Sequence, residues 1–343
     1  MDFGITFPSY IRAYHDAKMA EDCGFTHAWF YDSQMCYSDV YASMALAALH
    51  TRHIKIGPLV AILGNRIAPV TAHSIATINE LAPGRTILGV GTGFTGRNVM
   101  GMPPITLKTM KEHIKVIREL LIGKEATYRE GKIERTIKFL NPTGGYINVN
   151  DEIPIHMASN GPKALEFTGQ IGDGWVTIGL DPEHITSGIK IIQQAAKNAG
   201  RKLSKIYTTN LTSGCILRPG EDIMSPRVIN QIGPFAILLL HTAWSPENMG
   251  PGPFAPTRFR KQAEEYFKNH INNMMDWINT SSVSNWNGKN MYVLQEGNMS
   301  NTHAGFVFLQ VPSNSNREVW VNMFTCFKSP CVAAGNNELT SLY

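Results

Sequence analysis

Four short stretches offer groups that could do chemistry. Gly91-Thr92-Gly93-Phe94-Thr95-Gly96 is a glycine-rich turn after the apolar run Thr86 to Val90, and Arg97 supplies a cation directly behind it. Asp32 and Ser33 close a second apolar run, Phe25 to Tyr31. Ser159-Asn160-Gly161 stands before Pro162, and proline at the first position of a helix leaves the preceding amides facing whatever anion approaches. Thr177 lies at the end of the run Trp175 to Ile178. The chain presents neither a Ser/His/Asp nucleophile set nor paired carboxylates, so hydrolase chemistry is not expected.

Taken literally the glycine turn is a GxGxxG, in which glycines let the backbone approach a dinucleotide pyrophosphate. That turn belongs to the first strand of its fold, whereas several strand and helix patterns come first here, and Pro103 and Pro104 would stop the helix that should follow. A turn that only reverses the chain and a strand end that meets a cofactor by another geometry are the other two readings.

The elements that must position these groups alternate along the chain. Asp2 to Phe7 reads as a strand, Ile11 to Cys23 as a helix closed by Gly24, and Phe25 to Tyr31 as the next strand. Val40 to Leu49 is helical, His53 to Ile62 is the third strand, and Pro69 opens a helix that Pro83-Gly84 closes. Thr106 can cap a helix whose Leu107, Met110, Ile114, Ile117 and Leu121 recur at three- and four-residue steps. Residues 123–150 break the rhythm with alternating polar and apolar residues, which predicts a small antiparallel insertion. Ile153 to Ala158, the helix opened by Pro162, Trp175 to Ile178, the helix opened by Asp181-Pro182, and Tyr207 to Leu217 resume the alternation. Repeated strand-helix-strand units with right-handed crossovers predict an α/β fold closed as a TIM (β/α)8 barrel, one domain over residues 1–343. Its mouth would gather Asp32, the turn after Val60, Gly91 to Asn98, Ser159 to Gly161 and Thr177 to Gly179. From Ser245 on, only Arg258 to Ile278 reads as helical, and 303–343 offers no recognisable eighth strand or final helix.

Bulk properties exclude other classes. The formal net charge of +4 on 343 residues is not gathered in runs, so a nucleic-acid partner is not expected. Five cysteines without ligand spacing predict neither a disulfide framework nor a zinc site, and a reducing cytoplasm is the expected compartment. Neither a leader pattern nor an apolar run of about 18 residues occurs, so no membrane association is expected.

Trp29-Phe30-Tyr31-Asp32-Ser33, Arg66-Ile67-Ala68-Pro69-Val70-Thr71-Ala72, Ile87-Leu88-Gly89-Val90-Gly91-Thr92-Gly93, Ala158-Ser159-Asn160-Gly161-Pro162-Lys163-Ala164 and Gly172-Asp173-Gly174-Trp175 occur in this order. Together they resemble the bacterial luciferase-like superfamily of flavin-dependent monooxygenases and deazaflavin-dependent reductases, over residues 1–240. The resemblance implies a barrel that binds FMN, or the alternative deazaflavin coenzyme, with its ring at the mouth. It puts Asp32 beside the ring, the Leu59–Val60 peptide as a non-proline cis bond behind it, and Ser159, Asn160 and Gly161 around a phosphate. With the chemistry taken by Asp32 and Arg97, the cofactor would rest on Leu59, Val60, Gly91, Thr92, Gly93, Ser159, Asn160, Gly161 and Thr177. The implied function is a flavin-dependent oxidoreductase of the monooxygenase type acting on a small organic substrate with dioxygen. Hydride transfer through a deazaflavin, as in methylenetetrahydromethanopterin reductase, and flavin binding without turnover are the alternatives. Phe94 stands where some deazaflavin enzymes of the superfamily carry an acid, which bears against a hydride transfer that uses that acid. The resemblance also implies a homodimer, with Val40, Ala42, Met44, Ala45, Leu46 and Leu49 as the apolar contact. Of the histidines, His27 is expected in the core, His73 in a buried or contact role, His113 in solvent, and His156 pointing into the barrel.

Overall fold

The computed structural model of the chain describes residues 2–93, 96, 97, 100, 102–178, 182–202, 206–212 and 214–232, together with the backbone of three short strands beyond them. In chain order the elements are β1 (Asp2–Phe7), α1 (Ala13–Asp22), β2 (His27–Phe30), α2 (Val40–His50), β3 (Lys55–Pro58), β4 (Ala61–Ile62), α3 (Ala68–Leu81) and β5 (Leu88–Gly91). They continue with α4 (Leu107–Leu121), β6 (Ala126–Glu130), β7 (Ile133–Ile137), β8 (Ile155–Ala158), α5 (Pro162–Ile171), β9 (Gly174–Ile178), α6 (Pro182–Asn198) and β10 (Tyr207–Thr212). The strands beyond are β11 (Ser284–Trp286), β12 (Lys289–Met291) and β13 (Phe306–Val311).

The main sheet runs β3-β2-β1-β13-β10-β9-β8-β5-β4, and its strands are parallel except for β13. β3 and β4 are two halves of one barrel strand, parted at the Leu59–Val60 peptide, which is cis. The two ends of the order meet, because Ile56 bridges Thr86 in parallel while its N–H donates to Arg85 O at 2.8 Å and its carbonyl accepts from Ile87 N at 3.0 Å. The sheet therefore closes as an α/β barrel of the (β/α)8 kind, with helices crossing between successive parallel strands.

Two expectations need correction. The third strand is not continuous over His53 to Ile62. The eighth position, for which the sequence offers no strand, is taken by β13, which runs antiparallel to β1 from Asp2↔Gln310 to Thr6↔Phe306 and antiparallel to β10 from Thr208↔Val311 to Thr212↔Val307. The expected helix over 258–278 lies outside the described residues. The antiparallel insertion is the hairpin β6–β7, paired from Ala126↔Ile137 to Glu130↔Ile133.

Helix boundaries follow local chemistry. Thr106 Oγ1 accepts from Thr109 N at 3.1 Å and caps α4, whose Met110, Ile114, Ile117 and Leu121 go into the core. Asp39 Oδ1 caps α2 through the N–H groups of Tyr41 and Ala42, both at 3.0 Å. Within α2, Val40 and Met44 are buried in the protein's own core, so less of that apolar series faces outward than its composition implied, although Leu49 is exposed. Asp173 of the Gly-Asp-Gly-Trp stretch is a tie: it accepts from Ile155 N at 2.9 Å and from Arg118 of α4 at 2.9 Å. The outer core lies between sheet and helices, and a smaller one fills the barrel with Trp29, Leu59, Ile87, Val176 and Leu211. No helix among the described residues is long and apolar enough to cross a membrane.

Candidate active site

Parallel strands bring the ends of β2, β4, β5, β8 and β9 to one side of the sheet, and the sequence-predicted residues fall into two groups there.

The first group surrounds Asp32. Arg66 Nη1 donates to both of its oxygens, at 3.0 and 2.7 Å, and Ile62 N–H donates at 2.9 Å, which fastens the end of β2 to β4. The Asp32 side chain is 1% exposed and that of Arg66 15%, so this is a buried ion pair. Arg66 also reaches Asp39 at 2.9 Å and lies 5.0 Å over the Tyr41 ring. Burial pushes the Asp32 carboxyl above its ordinary range, and the guanidinium and the Ile62 amide pull it only part of the way back. Gln34 Nε2 makes a further, short hydrogen bond to Asp32.

Arg97 belongs to the same group. Its Nε donates to Pro103 O at 2.6 Å, and its Nη1 to Gly64 O at 2.8 Å and to Asn65 Oδ1 at 3.1 Å. Asn65 Nδ2 in turn donates to Gln34 Oε1 at 2.6 Å. Asp32 and Arg97, predicted separately, are thus linked by two amides that sequence reasoning missed; Arg66 was seen only as part of a motif.

The glycine turn packs against the protein itself. A Cβ on Gly89 would stand 2.3 Å from Pro58 O, on Gly91 2.5 Å from Val60 Cγ2, and on Gly96 2.3 Å from Ile62 Cδ1. Gly93 has φ +91 and a Cβ there would lie 2.4 Å from Ile62 Cγ2. These glycines are needed because β5 and its turn fold closely over the Leu59–Val60 bulge, which is reason enough for them without a pyrophosphate. Thr92 O accepts from Ile105 N at 3.0 Å. Phe94 and Asn98 lie outside the described residues.

The second group sits at the start of α5. Ser159 is fully engaged: its N–H donates to Val176 O at 3.2 Å, its carbonyl accepts from Trp175 Nε1 at 2.7 Å, and its hydroxyl lies 2.7 Å from that of Thr168. Its amide is committed to the sheet and is not offered to a phosphate. Thr177 Oγ1 donates to Asn160 Oδ1 at 3.2 Å and lies 3.4 Å from His184 Nε2. Gly161 is the N-cap of α5 with φ −82, and a Cβ built on it meets no heavy atom within 4 Å. Neither conformation nor packing requires glycine there.

Between the groups, Leu59 and Val60 join Ala158, Val176, Ile178 and Leu211 in an apolar floor with Trp29 and Ile87 beneath it. Deeper, His27 Nε2 lies 2.9 Å from Tyr207 Oη, and the His156 ring centroid is 5.0 Å from that of Tyr207. Burial holds both imidazoles down, each to about 3, so they are neutral, and His156 Nδ1 has no hydrogen-bond partner. His113 departs from expectation, because burial lowers its pKa and its Nδ1 is enclosed; His73 is exposed, which removes the buried half of its expected role and leaves the contact half untouched. A surface basin of about 640 Å³ lined by Lys18, Glu21, Asp22, Leu49, His50, Arg52 and His53 lies at the amino ends of β2 and β3, away from the mouth. There Glu21 Oε1 already accepts the N–H groups of Arg52, His53 and Ile54 at 2.8, 2.6 and 2.9 Å.

The sequence profile of the luciferase-like monooxygenase family matches residues 8–284. Among curated proteins, 5,10-methylenetetrahydromethanopterin reductase of Methanolobus tindarius is 36% identical over 59% of this chain and 61% of its own length. The F420-dependent glucose-6-phosphate dehydrogenase of Microbacterium testaceum is 30% identical over 55% of this chain and 60% of its own. The match thus spans less than two thirds of either relative. Among solved structures, the oxygenating constituent of 3,6-diketocamphane monooxygenase from Pseudomonas putida, in complex with FMN, superposes with a TM-score of 0.59 at 14% identity, over 73% of this chain and 78% of that one. That likeness concerns the fold alone.

Proposed function

Because the chain belongs to the luciferase-like monooxygenase family, we propose that it is an oxidoreductase working through a flavin-type coenzyme at the barrel mouth, and that the coenzyme is a deazaflavin of the F420 kind. The observation that carries this reading is the apolar floor of Leu59, Val60, Ala158, Val176, Ile178 and Leu211 beside the N-terminus of α5. A flat tricyclic ring loses little by stacking on such a floor, and an anionic tail gains from amides at a helix start. The residues fit the group: Leu59 and Val60 back the ring, Gly91, Thr92 and Gly93 bound it, and Asn160 and Gly161 take the phosphate, with Ser159 and Thr177 holding that turn in shape. The ring supplies hydride transfer when bound, and the protein supplies a dry surface and fixed charge at Asp32 and Arg97. A small organic molecule is the substrate.

The preference for deazaflavin over FMN, the first expectation from sequence, draws its support from the names of the Methanolobus and Microbacterium relatives. FMN with dioxygen is the second reading, favoured by the family's monooxygenase description. Titration with coenzyme F420 and with FMN, followed by fluorescence quenching in wild type and Gly161→Val, tests both. The expected result is F420 binding that the folded variant weakens roughly tenfold or more, by crowding the anion. Preferential FMN binding with NAD(P)H-coupled oxygen uptake would overturn the deazaflavin in favour of the monooxygenase. Binding of neither would sink flavin chemistry altogether.

A further inference from the structure

We propose that Gln34 and Asn65 are positioning residues that hold Asp32 and Arg97 in one fixed register across the barrel mouth. The four side chains come from the segments after β2, β4 and β5, and no two neighbours in the chain of bonds come from the same segment except Gln34 and Asp32. Arg97 donates to Asn65 Oδ1 at 3.1 Å, Asn65 Nδ2 donates to Gln34 Oε1 at 2.6 Å, and Gln34 Nε2 donates to Asp32. A guanidinium can only donate and a carboxylate can only accept, so where the two do not meet directly, as Arg97 and Asp32 do not, a relay between them needs groups that do both. Two primary amides in series meet that need, with every N–H pointing from the cation toward the acid. Such a chain is polarised along its length, so each bond supports the next.

Arg97 is also seated sterically: a Cβ on Gly64 would stand 2.7 Å from its Nη1 and one on Gly93 2.8 Å from its Cδ. One end of the chain is therefore fixed by the glycine turn and the other by Arg66 and Ile62 N–H at Asp32. Removing an amide from the middle uncouples the two ends while leaving each anchored to its other partners. The functional consequence rests on the mouth being the coenzyme site proposed above; the coupling itself does not.

The test uses the full chain and the titration of Asp32, followed through its carboxyl carbon resonance, in wild type, Gln34→Leu, Asn65→Leu and the double variant. Asn65 makes no hydrogen bond to Asp32, yet its loss is expected to raise the Asp32 midpoint in the same direction as the loss of Gln34, by roughly one pH unit, because the amide that stabilises the carboxylate is no longer aimed. The double variant is expected to shift no further than the larger single one, since both cut one chain. An Asp32 midpoint that stays at its wild-type value in Asn65→Leu, or shifts that simply add, overturns the proposal. Asn65→Ser removes the amide without adding apolar bulk and gives the same reading where the leucine variant does not fold. In a second arm, coenzyme F420 binding by the single variants is expected to weaken by a similar factor of roughly ten. Failure of the wild type to bind coenzyme would count against the functional reading, while the titration still decides the coupling.

Discussion

At the scale of single residues, the barrel interior stores an acid sensitivity that the mouth does not need. His27 and His156 sit among Trp29, Tyr207 and the glycines that make room for them: a Cβ on Gly174 would collide with the His156 ring at 2.3 Å, and one on Gly4 would approach His27 Cβ to 3.0 Å. Burial is the main reason both pKa values fall to about 3; Lys55 discourages protonation of both, and the charge of His27 discourages that of His156 as well. Asp173 acts the other way on His156, while Tyr207 Oη turns its own proton toward Asp2 at 3.1 Å. The unfolded chain, with ordinary imidazoles near 6.5, binds more protons than the folded one between about pH 6.5 and 3. Stability is therefore complete above pH 6.5 and falls with pH through that window, with a limiting slope of about 1.4 kcal/mol per pH unit for each imidazole. Urea denaturation at stepped pH should find this slope, and His27→Gln and His156→Gln should each flatten it. A wild-type profile that is level from pH 7 to 4 would refute the assignment.

At the scale of elements, the glycines described at the strand ends divide into those the fold consumes, such as Gly89, and Gly161, which it does not. Gly89→Ala would drive a methyl into Pro58 O, backbone that cannot step aside, and should cost roughly 1–3 kcal/mol or more by overpacking. Gly161→Ala meets nothing within 4 Å and should cost no more than the ordinary difference between caps, about 1 kcal/mol. Chemical denaturation of the two variants decides; equal losses would mean that the β5 turn is not folded over the bulge. Much of this scale was legible beforehand. The helix starts at Thr106 and Pro162, the β6–β7 hairpin and the sequence of strand ends all follow from local rules: capping, proline's fixed φ, and alternation. The Asp32–Gln34–Asn65–Arg97 chain was not legible, because two of its three links join positions 31 and 32 residues apart through side chains that read singly as polar loop residues. The commitment of the Ser159 amide to Val176 O was likewise invisible, since a Ser-Asn-Gly before a proline looks the same whether its first N–H faces a ligand or a neighbouring strand. The break within the third strand was anticipated only by resemblance, as no apolar period changes at Leu59 and Val60.

For the molecule as a whole, closure of the barrel depends on its least regular part. β1 and β10 do not pair with each other; β13 stands between them and hydrogen-bonds to both, covering five register pairs on each side. Nothing in 303–343 announced this, because strand propensity without alternation or flanking turn signals does not separate a barrel strand from an irregular tail. Its direction was unforeseeable as well, since a (β/α)8 pattern predicts a parallel eighth strand and β13 is antiparallel to both neighbours. The consequence is a sharp dependence on the tail. Deleting residues 301–343 removes β13 and leaves two facing edges of unpaired N–H and C=O groups lined with an apolar interior, a template for pairing between chains. The truncated chain should lose its cooperative thermal transition and elute as aggregate in size-exclusion chromatography. The interior group of Trp29, Leu59, Ile87, Val176 and Leu211 lies open to the same gap, so tryptophan fluorescence should shift to the red as Trp29 meets water. A truncated protein that stays monodisperse and melts where the full chain does would establish that α1 to α6 and the parallel strands β1 to β5 and β8 to β10 are stable without β13, and would overturn its part in closure.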